Sequence, residues 1–192
     1  MKKLHPKSNI DELCYPFIYE DSLLCDYEIL TDDLTRMLGW AINDLNILKL
    51  DYPNDNDLQS LETELIWLLP LCYHLNGSIR GKLAITEEDH MQLLKNYRRI
   101  NSITKKSISG FVLPCGVSPI GILNKCSSTS KKVIRLMVRI HNEEHKEVPD
   151  ILPKFTNLHC FTHLKILNTL IYFFLLLRPS SLRLRDSHQI VS

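Results

Sequence analysis

The segment from residue 111 to residue 139, FVLPCGVSPIGILNKCSSTSKKVIRLMVR, constrains the fold more than any other part of the chain. It contains a Cys115–Gly116 turn, followed by Ser118 and Pro119. Serine caps helices because its hydroxyl accepts a hydrogen bond from a free backbone N–H, and proline suits the first helical position because it has no N–H. The segment therefore predicts a helix that begins at Ser118 and extends to about Lys146.

The predicted helix has two chemically different faces. Apolar residues recur at steps of three, four or seven positions, which places them on one buried face. They are Leu123, Cys126, Val133, Met137 and Ile140. A second face carries Lys125, Lys132, Arg135 and Arg139. Two interpretations of these cations stay open: the solvated side of an ordinary amphipathic helix, or one wall of a binding cleft.

Two helices are predicted near the start of the chain. The first begins at Thr31, because Asp32 and Asp33 suit the positive end of a helix dipole, and the turn-forming residues 51–57 end it. The second begins at a cap formed by Asp57. Pro70 is expected to kink or end this second helix, because proline removes one backbone hydrogen bond.

Two more helices lie on either side of the long one. The third begins at Thr86, where the sequence TEED supplies a cap with an acidic residue three positions later. The fifth begins near Thr156 and ends at Arg178–Pro179. Five helices and no alternating strands predict an all-α five-helix bundle. We expect an irregular arm over residues 1–25, the bundle over residues 26–178 and a tail over residues 179–192.

The composition narrows the classes of function. A chain of 192 residues with 44% hydrophobic content can bury one sizeable core, and its 23 basic and 22 acidic residues leave a net charge of +1. So small a charge predicts no binding to nucleic acid or to a membrane surface. Six scattered cysteines without a C-x-x-C pair predict a reduced, cytoplasmic protein. The longest apolar run, residues 166–177, is shorter than the ~20 residues that a membrane span needs.

Two short motifs have both a chemical and a structural interpretation. The sequence His141–His145 matches H-x-x-E-H, in which two histidines one helical turn apart bind zinc, but it equally describes a solvated helix end. Cys160 lies between His159 and His163, an arrangement that suits a thiol with a base or, more simply, residues of the core. For both motifs the sequence favours the structural interpretation.

Three segments together resemble a known family. They are residues 111–116 with the basic run SSTSKKVIR, the acidic segment Asp32–Leu34, and residues 164–170, LKILNTL, with Asn168. This combination resembles the trimeric, helical-bundle type of ATP:cob(I)alamin adenosyltransferase. The resemblance implies a homotrimer that transfers the adenosyl group of ATP to cob(I)alamin, with ATP, Mg and cobalamin bound between subunits. It implies no metal-binding residues of the chain's own.

The resemblance also assigns candidate site residues. Asp32 and Lys131 occupy catalytic positions, Lys132 and Arg135 positions that hold phosphate with Lys131, and Phe111 the position that packs beneath the corrin ring. Asn168 corresponds to an asparagine of the last-helix motif. From the residues alone, Asn168 either bonds to another helix or lines the cleft, because an amide among leucines needs a hydrogen-bond partner.

Several family features are replaced in this chain. Residues 1–25 contain no glycine, whereas the family holds the triphosphate partly with a glycine-rich loop near its N-terminus. Ser127 occupies the position of an arginine that pairs with the aspartate of the first helix, and Ile134, Thr169 and Tyr172 replace charged residues. Because one lost transition-state donor costs about 3 kcal/mol, we expect weak adenosyl transfer. The alternative is a non-catalytic homologue that binds a corrinoid or a partner protein, or that serves as a trimeric scaffold.

Overall fold

The structure is a computed structural model that describes residues 13–104, 111–112, 118–177 and 190–191. Five helices make up most of this part of the chain: α1 (Leu23–Asp51), α2 (Asn56–Gly77), α3 (Glu87–Thr104), α4 (Ile120–Glu143) and α5 (Ile151–Leu177). Two short strands, β1 (Phe111–Val112) and β2 (Ile190–Val191), pair antiparallel, with Phe111 opposite Val191. The prediction of an all-α protein with five helices is confirmed. The predicted Cys115–Gly116 turn, residues 1–12 of the arm and most of the tail lie outside the described residues.

The helices pack around one leucine-rich core. Helix α1 packs against α2 and α4, α4 packs against α5, and α5 packs against α3. Between α2 and α3, Asn96 donates a hydrogen bond to Glu64 and Arg99 donates one to Ser60. Fully buried side chains come from every helix, among them Leu34, Leu65, Leu93, Leu123 and Phe155. In the described part of the chain, no helix combines the length and apolarity that crossing a membrane requires.

Helix α1 begins eight residues earlier than the sequence predicted. Its cap is Ser22, whose hydroxyl accepts from the N–H of Cys25 at 3.3 Å, and Glu144 accepts a second hydrogen bond from the N–H of Leu23. Thr31 lies inside the helix, where its hydroxyl bonds to the carbonyl of Tyr27 at 2.9 Å. The prediction that this helix begins at Thr31 was wrong because Leu24 and Tyr27 already belong to the buried face of α1.

Helix α2 differs from the prediction at its cap, and it does not end at Pro70. Asp55, rather than Asp57, is the cap, and its carboxylate accepts from the N–H of Leu58 at 2.9 Å. Pro70 does not end the helix, which continues to Gly77. Burial of Leu71 and Leu75 beyond the proline explains this continuation, since core packing outweighs the local cost of one lost hydrogen bond.

The starts of α3, α4 and α5 show which capping signals in the sequence located a helix start correctly. At α3 the predicted capping box is confirmed, because Asp89 and Thr86 exchange backbone and side-chain hydrogen bonds of 2.9–3.1 Å. At α4 the hydroxyl of Ser118 donates to Asp44 of α1 instead of capping, and the helix runs from Ile120 to Glu143. Helix α5 starts at Ile151, ahead of the predicted Thr156, because Leu152 and Phe155 are buried in the core.

Candidate functional site

Three predicted phosphate-binding residues lie together on the outward side of α4. Lys131, Lys132 and Arg135 are all exposed, within one turn of each other, and a residue step of four corresponds to ~6 Å along a helix. Among the described residues, none of the three takes part in an ion pair or a side-chain hydrogen bond. Arg139, further along the same side, is instead bound by both carboxylate oxygens of Glu143 at 2.8 and 2.9 Å. Lys131, Lys132 and Arg135 are therefore unpaired cations that an anion can approach.

Asp32 lies on α1, at the same level of the bundle as these cations. Helices α1 and α4 run antiparallel, because Leu23 contacts Glu144 at one end and Asp44 contacts Ser118 at the other. Asp32 pairs with Arg36 of its own helix at 2.8 Å, and both side chains are substantially exposed. The structure thus places Asp32 at about the level of the α4 cations along the helix axes, without an ion pair between them.

The remaining predicted site residues are only partly described. Asn168 is half-buried on α5, two turns before the helix ends. Phe111 belongs to β1, and its backbone pairs with Val191, but its predicted role concerns a side chain outside the described part of the structure. Thr169, one of the positions that depart from the family pattern, is buried and donates its hydroxyl hydrogen to the carbonyl of Lys165 at 2.9 Å.

Ser127 faces the interior and not the cationic side of α4. Its side chain is 1% exposed, and its hydroxyl lies 3.3 Å from the thiol of Cys160 on α5. Cys160 also donates to the backbone carbonyl of Ser127 at 3.3 Å. A residue in this position belongs to the contact between α4 and α5, so in this chain it has no access to Asp32.

A buried polar layer between α4 and α5 was not predicted as a unit. It consists of Ser127, Ser130, His159, Cys160 and His163, each at most 3% exposed. The Nε2 atoms of the two histidines lie 3.1 Å apart, and Nδ1 of His159 lies 3.3 Å from the hydroxyl of Ser130. A signal existed in the sequence, since small hydroxyl residues on the inner side of α4 match histidines spaced one turn apart on α5.

The imidazoles of this layer are neutral near pH 7. Burial lowers the pKa of His159 to about 4, and burial together with the neighbouring His159 ring holds the pKa of His163 well below its usual range. Cys160 is bonded to Ser127 and not to either imidazole. The arrangement therefore lacks the thiol–imidazole pair of a cysteine nucleophile, and the structural interpretation of these residues as part of the core is the correct one.

The H-x-x-E-H sequence does not form a zinc-binding pair. Helix α4 ends at Glu143, so His145 lies beyond it, with a positive φ of 55°. Glu144 is directed to the start of α1, where it accepts the N–H of Leu23. Within the described ranges, no group of three histidine, cysteine or acidic side chains is placed to hold a metal ion.

The described structure defines the class of the protein as an all-α helix bundle whose outward face on α4 is cationic. The comparisons with known proteins add no family to this description. No family model matches the chain, and no curated protein matches it.

Proposed function

We propose that the chain is a subunit of a homotrimeric corrinoid adenosyltransferase with low turnover, which transfers the adenosyl group of ATP to cob(I)alamin. The observation that supports this proposal is the group of unpaired cations on α4, Lys131, Lys132 and Arg135, all exposed. The reaction leaves a triphosphate with several negative charges, and fixed cations stabilise that charge as it develops. Lysines serve as point charges in this role, whereas arginine adds a planar pair of donors.

The outward side of α1 supports association with a second copy of the chain. It exposes the apolar residues Ile29 and Trp40, which are 45% and 61% exposed, together with Asp26 and Asp33. The outward side of α4 carries the opposite charge, so α1 of one subunit complements α4 of another. In the proposed trimer each cation group then faces a neighbour's α1, and the neighbour contributes Asp32 to the site.

The remaining assignments follow the resemblance stated above. Lys131 and its neighbours bind the Mg-bound triphosphate, Phe111 packs beneath the corrin ring and Asn168 lines the cleft. Low turnover is part of the proposal, because Ser127 is engaged with Cys160 and Asp32 is engaged with Arg36. The arginine–aspartate pair that the family uses therefore has no counterpart here.

The transfer reaction can be tested directly. Purified protein is mixed anaerobically with reduced cobalamin, ATP and Mg, and formation of adenosylcobalamin is followed by its absorbance. We expect slow turnover that falls at least 100-fold when Lys131, Lys132 and Arg135 are all replaced by alanine, since one lost donor costs about 3 kcal/mol. Lys95 and Arg98, exposed cations of α3, replaced by alanine form the matched control. Equal rates for the triple variant and the wild type would contradict the proposal.

The trimer has a separate test in analytical ultracentrifugation. We expect the wild-type chain to sediment as a trimer, and the variant Trp40→Ala with Asp33→Lys to sediment as a monomer. Tyr73→Ala changes a similarly exposed aromatic residue, 62% exposed on α2, and is expected to leave the trimer intact. A monomeric wild-type protein at micromolar concentration is incompatible with a site shared between subunits.

A second candidate function is corrinoid or partner binding without adenosyl transfer. The buried position of Ser127 and the Asp32–Arg36 pair favour it, because both remove polar groups from the proposed ATP site. Titration calorimetry distinguishes the two candidates. Binding of cobalamin without binding of ATP and Mg would favour this second function. Binding of neither cobalamin nor ATP would favour a role as a trimeric scaffold.

A further inference from the structure

The polar layer between α4 and α5 contains a continuous chain of hydrogen bonds. Ser130 donates its hydroxyl hydrogen to the carbonyl of Cys126 at 2.9 Å, so its oxygen is left to accept from Nδ1 of His159. A neutral imidazole has one N–H, and Nε2 of His159 is then an acceptor. The 3.1 Å contact with His163 therefore requires His163 to donate from its own Nε2.

This assignment leaves one atom of the chain without a partner. Nδ1 of His163 becomes a bare acceptor, and it is buried with no hydrogen-bond partner among the described residues. A first added proton has its natural position on this nitrogen, because every other polar atom of the two rings is already engaged. A second added proton would place two N–H groups against each other across the 3.1 Å contact, and the contact would be lost.

Within the described ranges, the surroundings offer no charged group that could stabilise a protonated ring. His159 and His163 are both fully buried, and the neighbouring ring of His159 disfavours a charge on His163. From α4 the group that contacts the rings is the hydroxyl of Ser130, which carries no charge.

The other described groups that contact the rings are uncharged as well. On α5 itself, Phe155 stacks on His159 and Cys160 is bonded to Ser127. Helix α3, which packs against α5, buries Leu93 and Ile100, and its charged side chains and His90 are exposed or half-buried.

We propose that His159 and His163 form an acid-sensitive latch, which holds α5 against α4 while both rings are neutral and releases it when they take up protons. The latch does not depend on the proposed function, because its contacts involve only side chains and backbone of the bundle. Its output is the separation of α4 from α5, the two helices that carry the exposed cations and Asn168.

The latch predicts a specific pH dependence of unfolding. Between pH 6.5 and pH 5 each ring binds a proton in the unfolded chain but not in the native protein, so acid favours unfolding. Between pH 7.5 and pH 5 each ring raises the unfolding equilibrium constant about 30-fold. The measurement is urea unfolding of the full chain across this pH range, followed by circular dichroism.

Matched variants separate the latch from other acid effects. His163→Leu removes the unpartnered nitrogen and one titrating ring. From pH 7.5 to pH 5, we expect the factor by which its unfolding equilibrium constant increases to be about 30 times smaller than the factor for the wild type. His74→Gln changes an exposed histidine on α2 and is expected to retain the full wild-type pH dependence.

A second measurement keeps the proposal testable if His163→Leu fails to fold. In the wild-type protein, NMR of the imidazole nitrogens is expected to show two neutral rings at pH 6, with the Nε2–H form at His163 and the Nδ1–H form at His159. Titration of both rings near pH 6.5, or a pH dependence of His163→Leu equal to that of the wild type, would overturn the latch. Stabilisation of the wild type by zinc that EDTA reverses would also overturn it, because the pair would then be a metal site.

Discussion

Arg80, in the loop after α2, donates from Nε to the Glu28 carboxylate of α1 at 2.8 Å, and the Glu28 side chain is 4% exposed. The same guanidinium lies 2.9 Å from Glu20 and 3.9 Å from the ring centroid of Phe17. Tyr15 donates its hydroxyl hydrogen to Glu28 as well. One arginine thus connects the segment before α1 to the ends of two helices.

The Arg80–Glu28 contact predicts a large loss of stability on substitution. Arg80→Ala leaves the Glu28 carboxylate buried without its cation, which costs roughly 3 kcal/mol of unfolding free energy. Arg36→Ala breaks the exposed pair with Asp32 and is expected to cost less than about 1 kcal/mol. Urea unfolding at pH 7.5 compares the two variants, and similar losses for both would show that Glu28 does not depend on Arg80.

Removal of the Tyr27 hydroxyl is expected to cause a smaller loss of stability than Arg80→Ala. It donates to the backbone carbonyl of Leu75 at 2.7 Å, and the side chain is completely buried. Tyr27→Phe leaves that carbonyl without this partner and is expected to cost about 1–2 kcal/mol in thermal or urea unfolding. The control Tyr73→Phe alters an exposed tyrosine of the adjacent helix, and we expect no measurable change. Equal stability of Tyr27→Phe and the wild type would contradict the assigned hydrogen bond.

We expect the protein to become more stable against unfolding when the charge of Glu64 is removed. Burial raises the pKa of this carboxyl, against the opposing effects of Asn96 and Arg99. The native protein therefore binds a proton more readily than the unfolded chain, and the stability contributed by this group falls as pH rises through its native pKa. Glu64→Gln is expected to be more stable than the wild type at pH 7.5, and to lose that advantage near pH 4.

The expectation for Glu64 is checked by urea unfolding at both pH values. Glu88→Gln neutralises an exposed carboxylate of α3 and is the matched control, with little expected change at either pH. A destabilised Glu64→Gln at pH 7.5 would show that the hydrogen bond from Asn96, 2.9 Å long, outweighs the cost of the buried charge.

The capping box at α3 predicts a moderate loss. Thr86→Ala removes the hydroxyl that accepts the N–H of Asp89 at 3.1 Å and is expected to cost about 1 kcal/mol. Thr63→Ala, on the exposed side of α2, removes a hydroxyl that bonds within its own helix, so we expect a change within about 0.5 kcal/mol. Hydrogen exchange of the first turn of α3 measures the local effect, and unchanged exchange in Thr86→Ala would exclude a capping role.

Helix number and helix faces were predictable from the sequence because they depend on local spacing. The apolar residues assigned to α4, from Leu123 to Ile140, are all buried, and its predicted basic residues are exposed. The helix starts were harder to predict. Ser118 has the chemistry of a cap but contacts Asp44, and Thr31 has the same chemistry but lies within α1.

The candidate site was predictable only in part. The spacing placed Lys132 and Arg135 on a basic face of α4, and both side chains are exposed. It could not predict that Ser127 contacts Cys160 and Ser130 contacts His159 on α5. These contacts join residues about 30 positions apart, so no local pattern specifies them.

By itself the sequence determined an all-α chain of five amphipathic helices, because hydrophobic spacing of three and four residues favours helices wherever the chain folds. Only the tertiary structure decided where those helices begin and which polar groups meet in the interior. The physical reason is burial: packing extends α1 and α5 beyond their local capping signals. Packing also pairs the polar groups enclosed between α4 and α5, apart from Nδ1 of His163, which has no partner among the described residues.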